Sequence, residues 1–335
     1  MFTELQHLER TIESLGPHAR VERLARVEVD GHDLPVWGLS IGCTDPGTPS
    51  LILVGGVHGL ERIGARVVTA FLETLSMRLR WDELWRAALS RARIVAVPLL
   101  NPGGMLRRTR ANPRGVDLMR NAPVDRWHRS TFLLGGQRIS RHLPWYTGRP
   151  ERGMEVESRA LCDFVLEALD GCPAALALDC HSGFGLVDRI WFPYARTHRP
   201  LPHLAEVVGI RRLLDGTLPN HVYRVEPTAQ TYTIAGDLWD YLYDAQRARA
   251  PDAAFVPLTL EMGSWAWVRK NPRQLWSAAG SFNPVLPHRL QRTLRRHLPL
   301  IDFLFHAVVS AGAWTPRSES ERLQLEQEAF RSWSM

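Results

Sequence analysis

Hydrophobic and polar positions alternate along the chain with two periods, one typical of helices and one typical of strands. Between residues 2 and 15, apolar residues recur every three or four positions, which predicts an amphipathic helix that Gly16-Pro17 ends. Residues 21–42 alternate apolar and polar on both sides of Asp30-Gly31, and this pattern predicts a β-hairpin.

Four short apolar segments predict strands that are buried on both faces. They cover residues 51–59, 92–104, 174–185 and 255–264. Helical patterns at 61–79, 155–171 and 287–304 lie between or after them. Strands alternating with helices predict an α/β fold, with a mixed, partly parallel central sheet covered by helices on both faces.

We expect a single domain over residues 1–335, because no repeat or flexible linker divides the chain. The predicted helix and hairpin occupy residues 1–42, and the core occupies residues 50–305. Residues 315–335 are polar and are expected to form a peripheral C-terminal tail.

The composition is that of a folded protein, with 335 residues of which 45% are hydrophobic and 23% are charged. No apolar run approaches the roughly 20 residues of a membrane span, and no secretory signal is visible. Four cysteines without a C-x-x-C pair do not indicate a disulfide framework. These features predict a cytoplasmic protein, if the chain is full length.

The net charge is +6, and of 41 basic residues only Lys270 is a lysine. The arginines are spread among acidic residues, and no nucleic-acid-binding motif accompanies them. We therefore expect neither a nucleic-acid nor a membrane partner, and the oligomeric state is left open.

Three of the four apolar strands end in residues that can bind a metal or move a proton. His58 and Glu61 follow the first, His181 ends the third, and Glu261 ends the fourth. Ligands of open α/β sheets bind outside the carboxyl ends of the strands, so these residues can meet. Two histidines and one carboxylate form a typical catalytic zinc set, which leaves Glu261 as the general base.

At these residues the sequence resembles the zinc carboxypeptidases of the carboxypeptidase A type. The resemblance runs from about residue 51 to residue 263. It begins with the H-x-x-E motif of His58 and Glu61 and continues through His181 and Glu261. Further matches to the family pattern are Asn101-Pro-Gly-Gly104, Arg110-Ala-Asn112, Gly115-Val-Asp-Leu-Met-Arg-Asn121, Tyr146-Thr-Gly148, and the spacing of Tyr232, Gly236 and Asp240.

The resemblance implies one zinc ion and a role for each matching residue. Arg110 would stabilise the oxyanion, and Asp117 would fix the tautomer of the ligand His58. Arg120 would bind a substrate carboxylate, and Tyr232 would close over the substrate. The implied activity is hydrolysis of a peptide or amide bond near a free carboxylate.

The sequence also departs from the family pattern. Met119 stands in the substrate-binding position where the family usually has an asparagine, and a thioether cannot donate a hydrogen bond. Met-Gly-Ser-Trp follows Glu261 in place of the usual arginine-containing stretch. These departures indicate a divergent, bacterial branch of the family.

Two other functions are compatible with the same residues. One is a zinc-dependent deacylase of N-acyl amino acids, similar to aspartoacylase and succinylglutamate desuccinylase. Arg120 and the Tyr232–Asp240 spacing favour a peptide substrate over this alternative. The other is a non-catalytic binding protein, which would be expected to lose a metal ligand or the base.

Residues 126–150 contain five arginines and no acidic residue. They precede the Tyr146-Thr-Gly148 match, so we predict a loop at the rim of the site that favours acidic substrates. The alternative is an ordinary solvated insertion. The arginines are Arg126, Arg129, Arg138, Arg141 and Arg149.

Overall fold

A computed structural model describes residues 2–123, 131–183 and 185–333. Within these ranges the chain forms an eight-stranded sheet with helices packed against it. The strands are β1 (Ala19–Val29), β2 (His32–Gly42), β3 (Ser50–Gly55), β4 (Arg93–Val97), β5 (Ala174–Gly183), β6 (Arg189–Phe192), β7 (Arg224–Pro227) and β8 (Ala254–Gly263). The α-helices are α1 (Thr3–Leu15), α2 (Arg62–Arg78), α3 (Glu83–Leu89), α4 (Pro102–Arg107), α5 (Val156–Ala168), α6 (Leu204–Thr217), α7 (Leu238–Arg249), α8 (Trp265–Lys270), α9 (Pro287–Val309) and α10 (Glu319–Trp333).

The centre of the sheet is parallel and its edges contain antiparallel pairs. The strand order is β1-β2-β4-β3-β5-β8-β6-β7. Strands β4, β3, β5 and β8 are parallel to their neighbours in this series, whereas β1–β2, β2–β4 and β6–β8 are antiparallel pairs. The predicted mixed sheet is confirmed, and the four strands predicted to be buried are its four central ones.

Helices cover both faces of this central region, as predicted. Strand β3 is buried at every position, and β5 is buried at every position except Gly183. Helices α2 and α9 pack on each other and against β3 and β5, while α5 and α7 pack on each other and against β4 and β8, respectively. Burial on both faces explains why these strands read as continuous apolar runs.

The predicted hairpin is formed by β1 and β2, and its turn is hydrogen-bonded to the end of α4. Its two-residue turn places Asp30 and Gly31 at φ of 51° and 74°, the left-handed conformation that two-residue hairpin turns require. Arg107 at the end of α4 donates two hydrogen bonds to the Asp30 carboxylate, of 2.7 and 2.9 Å. The hairpin therefore supports the segment that leads into Arg110.

The C-terminal segment contains α10 and is part of the packed structure. Leu325, Ala329 and Trp333 recur at four-residue spacing and are buried, and α10 packs against α6. Arg322 of α10 also pairs with the buried Glu206 at 2.7 Å. The predominance of polar residues in this segment reflects its exposed face and hides the narrow apolar stripe. No helix in the described ranges is both long enough and apolar enough to cross a lipid bilayer.

Candidate metal and active site

Three adjacent parallel strands bring the predicted metal ligands and the predicted base to one edge of the sheet. His58 and Glu61 lie in the segment between β3 and α2, and His181 lies near the end of the neighbouring β5. Glu261 of β8 is the direct register partner of His181. Residues up to 203 positions apart in sequence are therefore neighbours, because the carboxyl ends of parallel strands meet at one edge.

His58, Glu61 and His181 converge on one point. The Nδ1 atom of His58 lies 2.9 Å from Glu61 Oε1, and the Nδ1 atom of His181 lies 3.1 Å from Glu61 Oε2. The two Nδ1 atoms are 3.2 Å apart. All three side chains are buried, and one ligand atom from each lies within 4.8 Å of the others. Two imidazole nitrogens and one carboxylate oxygen in this arrangement fit a zinc ion with an open position.

Each of the two histidines has a buried carboxylate next to its Nε2 atom. His58 Nε2 lies 3.1 Å from Asp117 Oδ1, and His181 Nε2 lies 2.8 Å from Asp179 Oδ2. The Trp239 indole donates a 2.8 Å hydrogen bond to the same Asp179 oxygen. Carboxylates in this position are typical of histidines that bind a metal through the other ring nitrogen.

Charge interactions keep the carboxylate of the candidate metal ligand Glu61 ionised. Burial disfavours the charged form of Glu61, but His58 and His181 outweigh burial and hold the pKa of Glu61 well below its usual range. The backbone N–H of Ser182 also donates to Glu61 Oε2 at 3.1 Å. The carboxylate is thus fixed in the deprotonated form that a metal ligand needs.

Asp117 connects the candidate metal ligand His58 to two arginines. Arg110 Nε donates to Asp117 Oδ2 at 3.0 Å, and Arg120 Nη1 donates to the same oxygen at 3.1 Å. Burial opposes ionisation of Asp117, but Arg120, Arg110 and His58 outweigh burial and hold its pKa well below its usual range. One carboxylate therefore orients a candidate ligand and both candidate substrate-contacting cations.

Arg110 points from the wall of the site toward the metal ligands. Its Nη1 donates a 2.9 Å hydrogen bond to Glu61 Oε1, and its side chain is 23% exposed. Burial disfavours its charge, but Asp117 and Glu61 more than compensate and raise its pKa. Arg110 is thus a fixed cation that lines the cavity.

Glu261 faces the same cavity from β8. Burial and the nearby negative charge of Glu61 raise the pKa of Glu261 to about 8. Gly183 gives this side chain its space, because a Cβ at Gly183 would lie 2.0 Å from Glu261 Oε1. A carboxyl group with a pKa near neutrality can both accept and return a proton.

The predicted substrate-binding residues also line the cavity. Arg120 is only 3% exposed, and its Nε and Nη2 atoms donate to the Leu134 carbonyl at 3.2 and 3.0 Å. Met119 is buried beside it. The Tyr232 ring meets Trp191 edge-on, with 6.0 Å between the centroids. Much of the hydrogen-bonding capacity of Arg120 is therefore already used within the protein.

A cavity of about 900 Å³ joins these groups. All the predicted site residues line it except Asp117, which lies behind His58. The cavity is large enough for a ligand of several residues or a comparable small molecule.

Sequence reasoning missed several residues that shape the site. Asp179 lies two positions before His181 on β5 and therefore on the same face, so the period of the strand could have identified it. No sequence signal pointed to Trp239 or to the requirement for glycine at position 183. Cys180 lies next to His181 but is fully buried, and burial holds its thiol pKa well above its usual range, which excludes a thiolate nucleophile.

Comparisons with known proteins agree with this geometry. A family model described as zinc carboxypeptidase matches residues 31–266. Carboxypeptidase D of Anas platyrhynchos is 33% identical over 204 residues, a match that covers 56% of this chain. The match covers 14% of that protein, so this chain corresponds to a small part of its length.

Solved structures share the fold. Bovine thrombin-activatable fibrinolysis inhibitor, in complex with tick carboxypeptidase inhibitor, has a TM-score of 0.66 at 17% identity, over 93% of this chain and 98% of that chain. Carboxypeptidase A from Helicoverpa armigera has a TM-score of 0.65 at 18% identity, over 91% of this chain and 72% of that chain. Identities this low establish similarity of fold alone.

Proposed function

Because the chain belongs to the zinc carboxypeptidase family, we propose that it is a zinc-dependent peptidase that cleaves a peptide or amide bond near a free carboxylate. The observation that carries this proposal is the convergence of His58, Glu61 and His181 beside Glu261. The same set supports one zinc ion per chain.

The metal would be held by His58, Glu61 and His181. When bound, zinc supplies a Lewis acid that polarises a carbonyl and makes water a stronger acid. Asp117 and Asp179 keep the two imidazole rings oriented for this role.

Glu261 would carry the proton. Its carboxylate would take a proton from the attacking water and return it to the leaving nitrogen. Arg110 would donate from its guanidinium to the carbonyl oxygen as that oxygen gains negative charge. Its bonds to Asp117 and Glu61 hold it in place before substrate arrives.

Arg120 and Tyr232 would bind the substrate carboxylate. The pKa of Tyr232 is raised by burial, with Arg120 and Arg110 acting in the opposite direction, so the phenol stays protonated and can donate a hydrogen bond. Met119 lines the same wall but cannot donate. Binding of a substrate carboxylate would therefore depend on Arg120, with no hydrogen bond from the side chain at position 119.

The substrate class, the lack of nucleic-acid and membrane partners, and the cytoplasmic location are further predictions. N-acyl amino acids are the alternative substrate class, and a hydrolysis screen that includes them beside peptides separates the two classes. A cytoplasmic location and the lack of nucleic-acid or membrane partners would be tested by cell fractionation and by binding assays.

Two variants test the proposed function together. His181→Ala should lose stoichiometric zinc, and Glu261→Gln should retain zinc but lose at least about a hundredfold in turnover. Metal content measured by mass spectrometry and hydrolysis of a peptide panel provide the readouts. The exposed His288 and Glu151 supply matched controls, as His288→Ala and Glu151→Gln. Full zinc in a folded His181→Ala variant, or near-normal turnover in Glu261→Gln, would contradict the proposal.

A further inference from the structure

Five arginines line the cavity, and one of them differs from the rest. Four form ion pairs with carboxylates of the protein: Arg107 with Asp30, Arg110 and Arg120 with Asp117, and Arg189 with Glu226. Arg141 has no carboxylate partner within residues 2–123, 131–183 and 185–333. It is also exposed. The cavity therefore contains one cation whose charge the described part of the protein leaves unpaired.

The loop that carries Arg141 is braced from inside by Gln137. Its Oε1 accepts hydrogen bonds from the N–H groups of Ile139 (2.7 Å) and Ser140 (3.0 Å). Its Nε2 lies 2.7 to 3.2 Å from the carbonyl oxygens of Ser140, Leu143 and Pro144. Gln137 is 4% exposed. Because one buried side chain contacts five backbone groups, with its two N–H donors shared among three carbonyls, it holds the loop backbone in place while Arg141 stays exposed.

The loop also docks against the turn that holds two site residues. Gly115 has φ of 83°, and a Cβ added there would lie 2.6 Å from the Arg141 carbonyl oxygen. Only glycine allows this close approach. Gly115 lies between Arg110 and Asp117 in sequence, so the backbone of Arg141 packs against the segment that carries both residues.

Of the four carboxylates that line the cavity, Glu261 is the proposed base and forms no ion pair with Arg141 in the described part of the chain, and the other three have partners of their own. Glu61 contacts the two histidines. Asp237 accepts from the N–H groups of Trp239 and Asp240 at the start of α7, and Asp240 accepts from two further backbone N–H groups at 2.9 Å. A negative charge for Arg141 must therefore come from outside this set.

We propose that Arg141 binds a carboxylate on the substrate, so that the enzyme favours substrates with an acidic side chain. This inference rests on the proposed peptidase function and names its substrate class. An arginine guanidinium binds a carboxylate through two parallel hydrogen bonds, and an unpaired cation in a cavity raises the local concentration of anionic ligands.

The structure thereby narrows the sequence-based prediction about residues 126–150 to one residue. Arg126 and Arg129 lie outside the described residues. Arg138 and Arg149 are described but do not line the cavity. Only Arg141 among the five is described and lines it.

Kinetics on matched substrates test this role. Peptides with a blocked N-terminus and a free C-terminus are compared on the wild type and Arg141→Gln. Each pair differs only by glutamate or glutamine at one position, on either side of the scissile bond. We expect KM for the glutamate peptide to rise about tenfold or more, with kcat and the glutamine peptide little changed. Arg141→Lys should restore part of the preference. The exposed Arg149, changed to glutamine, is the matched control. Equal effects on both peptides, or no effect, would overturn the assignment.

A binding measurement separates this inference from the proposed function. Glu261→Gln, with and without Arg141→Gln, is titrated with the fluorescently labelled glutamate and glutamine peptides at low and high salt. Preferential binding of the glutamate peptide should weaken with salt and disappear in the double variant. If the wild type hydrolyses no peptide, the proposed function fails, yet this titration still decides the role of Arg141. Equal binding of both peptides, unaffected by Arg141→Gln, would show that Arg141 is merely solvated.

Discussion

Glu157, near the start of α5, is a carboxyl group that folding holds in an unfavourable environment. It is 2% exposed and shares the Asn112 amide with the equally buried Glu155, at 3.3 and 3.0 Å. Burial, reinforced by the negative charge of Glu155, raises the pKa of Glu157 from 4.5 to about 7. The folded protein therefore binds a proton at this position more tightly than the unfolded chain does.

This shift predicts that stability falls as pH rises from about 4.5 to 7. Over that interval the unfolded chain ionises Glu157 while the folded protein keeps it protonated, so raising the pH favours unfolding, by about 3 kcal/mol in total. Urea denaturation between pH 5 and 8 measures the slope. Glu157→Gln should flatten it, whereas Glu151→Gln at an exposed position should not. An unchanged slope in Glu157→Gln would refute the assignment.

For individual residues, the sequence predicted which side chains form the site better than it predicted the partners of those side chains. Spacing and strand position indicated His58, Glu61, His181 and Glu261, and the structure brings them together. The environment of Arg120 could not be read in this way, since two of its hydrogen bonds go to the backbone carbonyl of Leu134. Backbone carbonyls carry no sequence signature, so such partners emerge only from the fold.

Among the secondary-structure elements, the β5–β8 pair sets the position of the proposed base. The two strands pair in parallel from Ala174 with Ala254 to Gly183 with Gly263. Gly183 lies two residues beyond His181 on the same face, where its missing side chain leaves room for the Glu261 carboxylate. The pairing of β5 with β8 therefore positions Glu261 and also places a glycine where the Glu261 carboxylate needs room.

Gly183→Ala should lower turnover without removing the metal. The added methyl would overlap Glu261 Oε1, and because that atom ends a flexible side chain, the carboxylate moves while the strands stay in register. We expect at least about a tenfold loss in kcat, with zinc content and melting temperature nearly unchanged, since small misplacements of catalytic groups are costly. Gly312→Ala, at a position with open space, is the control. Unchanged kcat would show that Glu261 tolerates the shift.

Pattern reasoning at this scale worked where both faces of an element are buried. The apolar runs predicted β3, β4, β5 and β8, which are the four central strands. The short edge strands β6 and β7 were not predicted, because four-residue strands carry too few positions for a period to be recognised. Helix α10 was missed because its buried apolar residues recur only at every fourth position, among mostly polar neighbours.

For the molecule as a whole, α10 braces the side of the sheet next to Tyr232. The Trp333 indole donates to the Val225 carbonyl at 2.8 Å, and its ring packs 4.8 Å from that of Phe192. Gln230 donates from its side chain to the Trp333 carbonyl. The C-terminal helix thus contacts β6, β7 and the segment that leads to Tyr232.

Trp333→Ala should destabilise the folded state by about 3–5 kcal/mol, the usual cost of removing a large buried aromatic side chain. Chemical denaturation measures this difference. Phe330→Ala on the same helix is a suitable comparison, because Phe330 is 42% exposed and should cost far less. A loss in Trp333→Ala of about 1 kcal/mol or less would mean that α10 contributes little through Trp333.

The position of Asp117 has a consequence for how this protein can evolve. A single carboxylate contacts a candidate metal ligand and the cations proposed to contact the carbonyl oxygen and the substrate carboxylate. We therefore expect substitutions at His58, Arg110 or Arg120 to show epistasis, because each alters the environment of the others through Asp117. Met119 has no bond to this carboxylate. We therefore expect selection for new substrates to change Met119 more readily than its neighbour Arg120.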